Sequence, residues 1–419
     1  MHPKIHAALL LGALLAYGPS TPLWAGAPPQ SSATPTHAAA GQTIGQQREG
    51  VLFWSQAKRA ADFSRMVEIF PAHRVAHGGT VHALPDGTPL TPDWNDPAMT
   101  LDGYMQRHHI AGVMVLQDGR VRLARYAQNF GPEQRWTSFS VAKSVTSALA
   151  GIALQQGYIH SLDDTVDTYI PALKGSAYAG VTVRQLMTMT SGVRWNEDYA
   201  DAQSDVAQMY RGACVAGESA AVSYLKRLPR AWPPGTHFNY NTAETDLLGD
   251  LVQHATGQPL AAWLSTTIWK PYGMAADGYW IKDGCSDTDT GGSGLSATLA
   301  DYARFGQFML DDGRIHGKPA IASAWLKGGL DQQQALEEPG RGYGYLWWTD
   351  ADGSFAAIGI FGQMVYVDPS RRLVIAQVAA WPVAASKAQS AARSAFVAAV
   401  KRAAGASASS PRTPSPRTE

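Results

Sequence analysis

The stretch Thr137 to Thr146, T-S-F-S-V-A-K-S-V-T, places Ser140 and Lys143 three residues apart at the start of an apolar run. Residues at this spacing share one face of a helix, so the hydroxyl and the amine can touch. The run V-A-K-S-V-T-S-A-L-A-G-I-A-L contains no other charged residue, which predicts a buried helix. Burial disfavours a charged amine, and a neutral amine can take the proton of a serine hydroxyl. The pair is therefore a candidate nucleophile and base.

The spacing alone is not specific. The chain contains it three times, as Ser55/Lys58, Ser140/Lys143 and Ser223/Lys226. The first and third pairs lie in amphipathic stretches with further basic neighbours, W-S-Q-A-K-R and S-Y-L-K-R, so their lysines can point to water. For the middle pair two structural roles stay open, a helix N-cap for the serine and a solvent-reaching side chain for the lysine.

A candidate partner occurs in the stretch Trp232 to Gly249, W-P-P-G-T-H-F-N-Y-N-T-A-E-T-D-L-L-G. P-P-G-T predicts a turn, H-F-N-Y a short extended segment, and a helix is expected to begin near Thr242. Tyr240 would then stand at a strand-to-helix corner beside Asn241. A phenol in that place can relay a proton between the serine, the lysine and a leaving group. The alternative is an ordinary half-buried tyrosine.

Four motifs, taken in order, resemble the serine β-lactamase-related hydrolases. They are F-S-V-A-K-S, T-M-T-S-G-V, P-G-T-x-F-N-Y-N-T and G-G-S-G-L-S-A-T-L-A-D-Y-A-R-F-G. This group includes class C β-lactamases, D-alanyl-D-alanine peptidases and related esterases and amidases. The stretch Trp195 to Val206, W-N-E-D-Y-A-D-A-Q-S-D-V, is similar to a lid-loop segment of the 6-aminohexanoate-dimer hydrolase branch. The resemblance covers about residues 70–395.

The resemblance implies a role for each matched residue. Ser140 matches the acylated serine, Lys143 its base partner and Tyr240 the tyrosine of a Y-x-N/S motif. Tyr199 matches a tyrosine that assists amide turnover. The implied fold is of the α/β (α+β) class and β-lactamase/transpeptidase-like, with an antiparallel sheet flanked by helices and an inserted, mainly helical lobe.

Two departures from the family pattern bear on the substrate. Thr242, a substrate-binding position in Y-N-T, stands where the family has Asn or Ser, and a hydroxyl replaces only part of an amide's hydrogen bonding. The stretch Ser354 to Gly362, S-F-A-A-I-G-I-F-G, takes the place of a K-T-G triad, so the cation that attracts a substrate carboxylate is missing. This strand can still supply a second oxyanion donor, a backbone N–H between Ala357 and Ile360, for which we predict Ile358.

These features predict a serine hydrolase that cleaves small carboxyl esters, amides or short peptides through an acyl-enzyme. β-Lactamase or D-Ala-D-Ala carboxypeptidase activity is the alternative. A non-catalytic penicillin-binding-type module of the same fold is a rival from another class, and the intact Ser/Lys/Tyr set argues against it. We expect no cofactor and no metal. His73 and His77 lie four residues apart, but no H-E-x-x-H motif contains them.

The composition argues against nucleic acid and anionic membranes as partners. The 419-residue chain is 45% apolar and 16% charged, and its 34 Lys+Arg balance its 34 Asp+Glu. No run of Lys or Arg exceeds a pair, so there is no electrostatic footprint for nucleic acid or an anionic membrane. The two cysteines, Cys214 and Cys285, are either one disulfide or two free thiols, and the oligomeric state also stays open.

The termini predict export and one folded unit. A weakly basic start, an apolar run and A-G-A make residues 1–27 a predicted signal peptide, and the apolar run is short for a membrane anchor. We therefore expect a periplasmic or secreted protein with no membrane span in the mature chain. Residues 28–48 read as a linker, 49–402 as the hydrolase domain and 403–419 as a disordered tail.

Strand patterns surround a helical middle. Ala111 to Tyr126 predicts a hairpin around a D-G turn, and roughly 182–310 shows helical periods broken by Gly and Pro. Strands are expected again late in the chain, in Y-G-Y-L-W-W, S-F-A-A-I-G-I-F-G, Q-M-V-Y-V-D-P and R-L-V-I-A-Q-V-A-A. Gly291 to Leu295, G-G-S-G-L, lacks the ending of a phosphate loop and predicts a turn near the site.

Overall fold

The computed structural model describes residues 50–212 and 214–405. The predicted signal peptide and linker, residues 1–27 and 28–48, lie outside the described residues. The predicted tail begins two residues early, because Ala403 and Ala404 still belong to the last helix. The rest of that tail, from residue 406, also lies outside the described part.

The described elements follow in chain order. The first group is α1 (Gln56–Asp62), α2 (Met66–Ile69), β1 (Ala72–Val75), α3 (Leu101–Arg107), β2 (Ile110–Gln117), β3 (Arg120–Tyr126), β4 (Arg135–Thr137) and α4 (Val141–Gln155). The helical lobe contains α5 (Val166–Tyr169), α6 (Val183–Met187), α7 (Asp205–Gln208), α8 (Ala220–Leu225), α9 (Thr242–Thr256), α10 (Leu260–Leu264) and α11 (Lys270–Tyr272). A 3₁₀ turn (Pro171–Leu173) and a π-helical turn (Ser265–Trp269) complete that lobe.

The last group returns to strands. It consists of β5 (Gly278–Ile281), β6 (Leu295–Thr298), α12 (Leu299–Leu310), β7 (Arg314–Ile315), β8 (Lys318–Pro319), α13 (Ser323–Gly329), β9 (Gln334–Ala335), β10 (Arg341–Tyr343), β11 (Trp348–Asp350), β12 (Phe355–Ile358), β13 (Met364–Asp368), β14 (Leu373–Ala379) and α14 (Lys387–Ala404). A 3₁₀ turn (Ile360–Gly362) joins β12 to β13.

An antiparallel sheet of eight strands forms the base of the molecule. Its order is β3-β2-β14-β13-β12-β11-β10-β9, so strands from the two ends of the domain meet where β2 pairs with β14. A smaller sheet has the order β1-β5-β6-β4. The predicted architecture is confirmed: an antiparallel sheet is flanked by helices, and a mainly helical lobe is inserted between distant parts of it.

The predicted hairpin is present, and its turn explains why. Strands β2 and β3 pair from Gly112↔Tyr126 to Gln117↔Arg120. Asp118 and Gly119 both take positive φ, 52° and 73°, which matches the twist that a two-residue hairpin turn requires.

One predicted strand is wrong. Y-G-Y-L-W-W does not run as a single strand, because β10 ends at Tyr343 and β11 begins only at Trp348. Between them the chain leaves the sheet and its carbonyl groups accept hydrogen bonds from helix α4. Ser144 donates to the carbonyl of Leu346 at 2.7 Å and Ser147 to that of Tyr345 at 2.5 Å. The corner therefore anchors the helix that begins after Ser140.

Helix α4 is buried on nearly every side, as its composition predicts. All residues from Val141 to Ala153 are buried. The helix contacts α9 and α10 on the lobe side and β12 of the large sheet. A helix enclosed in this way has little freedom to shift, which fixes the position of the groups at its N-terminus.

Candidate active site

Ser140 lies at the N-terminus of α4, directly after a strained residue. Phe139 has a φ of 43°, a left-handed conformation that is uncommon for a large side chain and that concentrates at functional sites. Ser140 occupies the N-cap position, yet its hydroxyl makes no capping hydrogen bond. Its Oγ instead lies 2.9 Å from Nζ of Lys143, so the capping alternative does not describe this side chain.

Lys143 does not reach solvent. The residue is 1% exposed, which removes the second structural alternative. Burial lowers the pKa of the Lys143 amine to about 8, against the opposing charges of Glu197 and Asp246. A substantial share of these amines is therefore neutral near physiological pH, as a base requires.

The surroundings of the amine also set the direction of its lone pair. Nζ lies 2.9 Å from Ser140 Oγ, 3.0 Å from Thr242 Oγ1 and 2.9 Å from the carbonyl oxygen of Gly292. The carbonyl can only accept, and the Thr242 hydroxyl gives its own proton to Glu197. A neutral Lys143 thus directs its two N–H bonds at Thr242 and Gly292, which leaves its lone pair for the serine proton.

Gly292 comes close because it has no side chain. A Cβ at this position would lie 2.7 Å from the Thr242 carbonyl oxygen, too near for any other residue without a backbone shift. Its N–H donates to Asp246 at 2.7 Å, which fixes the loop against α9. The G-G-S-G-L turn predicted near the site therefore supplies one wall of the amine pocket.

Tyr240 converges on the same point from the lobe. Its ring stacks on Trp348 with centroids 5.7 Å apart and meets Tyr343 edge-on at 6.1 Å. Nζ of Lys143 lies 5.3 Å from the centroid of the Tyr240 ring. Burial, with a smaller contribution from Glu197, raises the pKa of Tyr240, while a hydrogen bond with Ser140 opposes the rise. The phenol is therefore protonated at neutral pH and can donate.

Glu197 connects the segment from Trp195 to Tyr199 to this centre. Its carboxylate accepts from the Thr242 N–H at 3.0 Å, from the Tyr199 hydroxyl at 2.7 Å, from the Thr242 hydroxyl and from the Trp195 indole N–H. Four donors therefore converge on one carboxylate. Glu197 thus orients Thr242, which in turn orients the Lys143 amine.

A cavity opens in front of Ser140. Tyr199 and Thr242 line it together with Ile360 and a set of apolar side chains. The side chain of Ile358, whose N–H we predict as the second oxyanion donor, lines a different cavity, between the large sheet and α14. The geometry therefore brings together Ser140, Lys143, Tyr240, Tyr199 and Thr242, but it does not bring the Ile358 side chain to them.

The family follows from sequence comparison. A model of the Beta-lactamase family matches residues 98–400, more than half of the chain. The chain belongs to the beta-lactamase family of serine hydrolases. The resemblance drawn from the four motifs is thereby confirmed.

The chain is similar to several known proteins. The chain is 29% identical over 284 residues to the 6-aminohexanoate-dimer hydrolase of Paenarthrobacter ureafaciens, covering 64% of this chain and 72% of that protein. It is 31% identical over 160 residues to Esterase EstB of Burkholderia gladioli, covering 35% and 40%. A solved structure described as a candidate 6-aminohexanoate-dimer hydrolase from Bacillus anthracis matches with a TM-score of 0.73 at 24% identity, covering 81% of this chain and 93% of that one. At that identity the match shows a common fold.

The sequence analysis does not single out Glu197, and it includes Ile360 only as the end of a range. Glu197 stands two positions before Tyr199 in N-E-D-Y, and a carboxylate beside a candidate tyrosine was the available signal. Ile360 stands two positions after Ile358. The choice between their N–H groups as second oxyanion donor depends on where the strand ends. Strand β12 ends at Ile358, and a 3₁₀ turn begins at Ile360.

Three further observations concern the cysteines, membrane spans and metal binding. Cys214 and Cys285 form a disulfide, which resolves the alternative left open by the sequence. Within residues 50–212 and 214–405, no helix has both the length and the apolar character needed to cross a bilayer. The same part of the chain contains no cluster of three His, Cys, Asp or Glu side chains placed to hold a metal ion.

Proposed function

We propose that the chain is an exported serine hydrolase that cleaves small carboxyl esters or amides through an acyl-enzyme on Ser140. The observation that carries this proposal is the buried amine of Lys143, 2.9 Å from the Ser140 hydroxyl with its other two hydrogen bonds already assigned. Such an amine can act as a base that accepts the proton of the Ser140 hydroxyl.

The proton moves in two relays. Ser140 Oγ attacks the substrate carbonyl carbon, and its proton passes to Nζ of Lys143. When the tetrahedral adduct collapses, the Tyr240 hydroxyl gives its proton to the leaving oxygen or nitrogen, and the Lys143 ammonium returns a proton to Tyr240. Water then attacks the acyl group, protonates Lys143 and releases the acid, and Lys143 returns that proton to Ser140. Tyr199 is the proposed assisting residue for amides.

Two backbone N–H groups are suited to hold the oxyanion. The N–H groups of Ser140 and Ile360 have no acceptor among the described residues. Gly359 brings the two segments together, because a Cβ on it would lie only 3.2 Å from the Ser140 nitrogen. Its own N–H is taken by the Gln363 carbonyl oxygen at 2.9 Å. We therefore assign the second donor to Ile360 in place of Ile358.

The cavity wall favours an apolar, uncharged acyl group. Its volume is about 90 Å³, suited to a short chain, and no Lys or Arg of the described chain lines it. The apolar wall includes Phe70, Phe139, Val206, Ile281 and Ile360. A substrate with a carboxylate next to the scissile bond finds no cation there. β-Lactams are thus the second candidate class, after the esters and amides that the names of the relatives indicate.

Export is proposed from two features. The N-terminal sequence has the composition of a signal peptide, with an apolar run followed by A-G-A. The disulfide between Cys214 and Cys285 is of a kind that persists in oxidising compartments. Fractionation of cells that express the full chain tests this: a shortened protein outside the cytoplasm is expected, and full-length protein in the cytoplasm contradicts export.

Intact-mass analysis tests the chemistry. The protein is incubated with a fluorophosphonate, a chromogenic short ester and a penicillin, beside Ser140→Ala. We expect one fluorophosphonate adduct and ester turnover, both lost in the variant, and little turnover of penicillin. Absence of adduct and turnover with all three probes would favour the non-catalytic binding module. Esterase activity that survives in Ser140→Ala would show that another serine reacts.

A further inference from the structure

A second cavity lies behind the large sheet, on the side covered by the last helix. It encloses about 240 Å³ between strands β10 to β13 and helix α14. Its floor is formed by Ala356, Ile358 and Met364, and its opposite wall by residues of α14. This cavity is separate from the one in front of Ser140, whose lining residues it does not share. The hydrolase mechanism gives it no role.

The charges that line this cavity do not balance. Three cations, Arg341, Arg393 and Lys401, face two carboxylates, Asp350 and Asp352. Arg341 pairs with Asp350 at 3.1 Å, and Lys401 pairs with Asp352 at 2.6 Å. Both lining carboxylates are thereby paired, and neither forms an ion pair with Arg393.

Arg393 has no carboxylate of its own. Among residues 50–212 and 214–405, no acidic side chain forms an ion pair with it, and its guanidinium lies over the Trp381 ring at 5.3 Å from the centroid. Burial lowers the pKa of Arg393 to about 10, with a further lowering from the nearby positive charge of Arg341, while Tyr104 acts in the opposite direction. The guanidinium still carries its charge at neutral pH. Arg393 is half-buried, and a charge that is partly removed from water without an ionic partner is costly, so a bound anion would offset part of that cost.

The shape and donors of the cavity define the anion. A guanidinium offers two parallel N–H groups that match the two oxygens of a carboxylate or a phosphate. The Tyr366 and Ser394 side chains also line the cavity and carry hydroxyl groups. Ile358 on the floor and Val397 on the opposite wall are apolar, which suits a short carbon skeleton rather than a highly charged chain.

We propose that the cavity between the large sheet and α14 is a binding site for a small oxyanion, a carboxylate or phosphate group held by Arg393. One anion neutralises the excess positive charge of the lining. The site does not depend on the Ser140 chemistry, so it stands or falls separately from the proposed hydrolase function.

Binding is measured on the full chain by calorimetric titration and by thermal melting. The titrants are acetate, succinate and inorganic phosphate, each compared with chloride at the same ionic strength. We expect saturable binding of at least one oxyanion and a rise in Tm that chloride does not reproduce. Saturation with phosphate alone identifies a phosphate site, and saturation with acetate or succinate identifies a carboxylate site. A response no larger than that to chloride overturns the proposal.

Variants localise the binding. Arg393→Gln is expected to weaken the oxyanion at least tenfold, whereas Lys387→Gln, which removes an exposed charge from the start of the same helix, leaves binding unchanged. Ala398→Leu keeps the guanidinium but fills the cavity, and it should also weaken binding, which covers the case that Arg393→Gln does not fold. Ester hydrolysis in each variant reports whether the fold is intact. Equal oxyanion affinity in wild type, Arg393→Gln and Ala398→Leu would overturn the proposed site.

Discussion

Two Ser-x-x-Lys pairs in this chain share their spacing and differ in every neighbour. Lys226 pairs with Glu218 at 2.7 Å, and the hydroxyl of Ser223 accepts from a backbone N–H and donates to the same glutamate. Among the described residues, Lys143 meets only hydroxyl and carbonyl oxygens at hydrogen-bond distance, one of them from Ser140. Burial lowers the pKa of the Lys143 amine, so this amine can lose its proton, whereas the amine of Lys226 lies beside a carboxylate.

The remaining pair, Ser55 and Lys58, also has a structural explanation. Ser55 caps helix α1 by accepting from the N–H of Lys58, whose amine forms an ion pair with Asp62 at 2.5 Å. The sequence spacing permits contact between serine and lysine, but the groups around the amine decide whether the pair can react. The comparison predicts where substitutions will and will not affect hydrolysis.

The largest effect is expected from the lysines themselves. Lys143→Ala removes the proposed base, and kcat/KM for a short chromogenic ester should fall by roughly 10³–10⁴-fold. Lys226→Ala and Lys58→Ala are the matched controls, and both should stay within about twofold of wild type because they touch no reacting group. Steady-state kinetics on the three variants decides: an equal loss in Lys226→Ala would break the comparison.

The next effect concerns the oxyanion. Ile360→Pro deletes one backbone N–H at the first position of a 3₁₀ turn, where proline is tolerated. We expect kcat to fall by about 10²–10³-fold while the protein still forms a fluorophosphonate adduct slowly. Ile360→Val keeps the N–H and serves as the control. Unchanged kcat in a folded Ile360→Pro variant would return the assignment to Ile358.

Much of this site could be predicted from the sequence, and the reason is local. The spacing of Ser140 and Lys143, the uncharged run that follows and the start of α9 at Thr242 are all properties of short segments. The segment before Tyr240 forms no strand, so the predicted strand-to-helix corner is a loop-to-helix corner. Glu197 could not be assigned in the same way, because its role depends on contact with Thr242, 45 positions away. The fold also divides into local features, which could be predicted, and long-range ones, which could not. The β2–β3 hairpin is local, whereas the corner after Tyr343 forms through contacts with α4.

A smaller effect should follow from the charge of Glu197. In the wild type, kcat/KM should rise with pH through about 8, because the neutral amine of Lys143 is the active form. The carboxylate of Glu197 raises the pKa of that amine, so Glu197→Gln should move the rising limb to lower pH. The variant also loses an acceptor for Thr242, and the plateau should drop by about tenfold.

The control for this shift is Glu218→Gln, which removes a carboxylate from the non-reactive pair. Its pH profile should coincide with that of the wild type, since Glu218 contacts Lys226 and not Lys143. A limb that stays near pH 8 in Glu197→Gln, or moves equally in Glu218→Gln, would show that the carboxylate beside Thr242 does not tune the amine.

The smallest effect is on stability, and it extends the comparison from lysines to carboxyl groups. Glu244, buried on α9, accepts from Tyr178 at 3.1 Å and from Ser191, but its Oε2 has no partner among the described residues. Burial raises the pKa of Glu244 from 4.5 to about 8, with hydrogen bonds from Ser191 and Tyr178 opposing. The folded state therefore binds more protons than the unfolded state between these values, and stability should fall as pH rises through that window. Glu244→Gln should remove this decline.

Thermal melts at pH 6 and pH 9 measure the effect of Glu244→Gln. At pH 9 the glutamine variant should melt above the wild type, by on the order of 2–4 °C for each kcal/mol of unfolding free energy regained. The gain should be smaller at pH 6, where the wild-type carboxyl is already neutral. Glu218→Gln should show the opposite sign at both pH values, because it leaves Lys226 without its carboxylate. The two glutamates would then differ as the two lysines do: Glu218 has a charged partner whose loss costs stability, whereas burial favours the neutral form of Glu244.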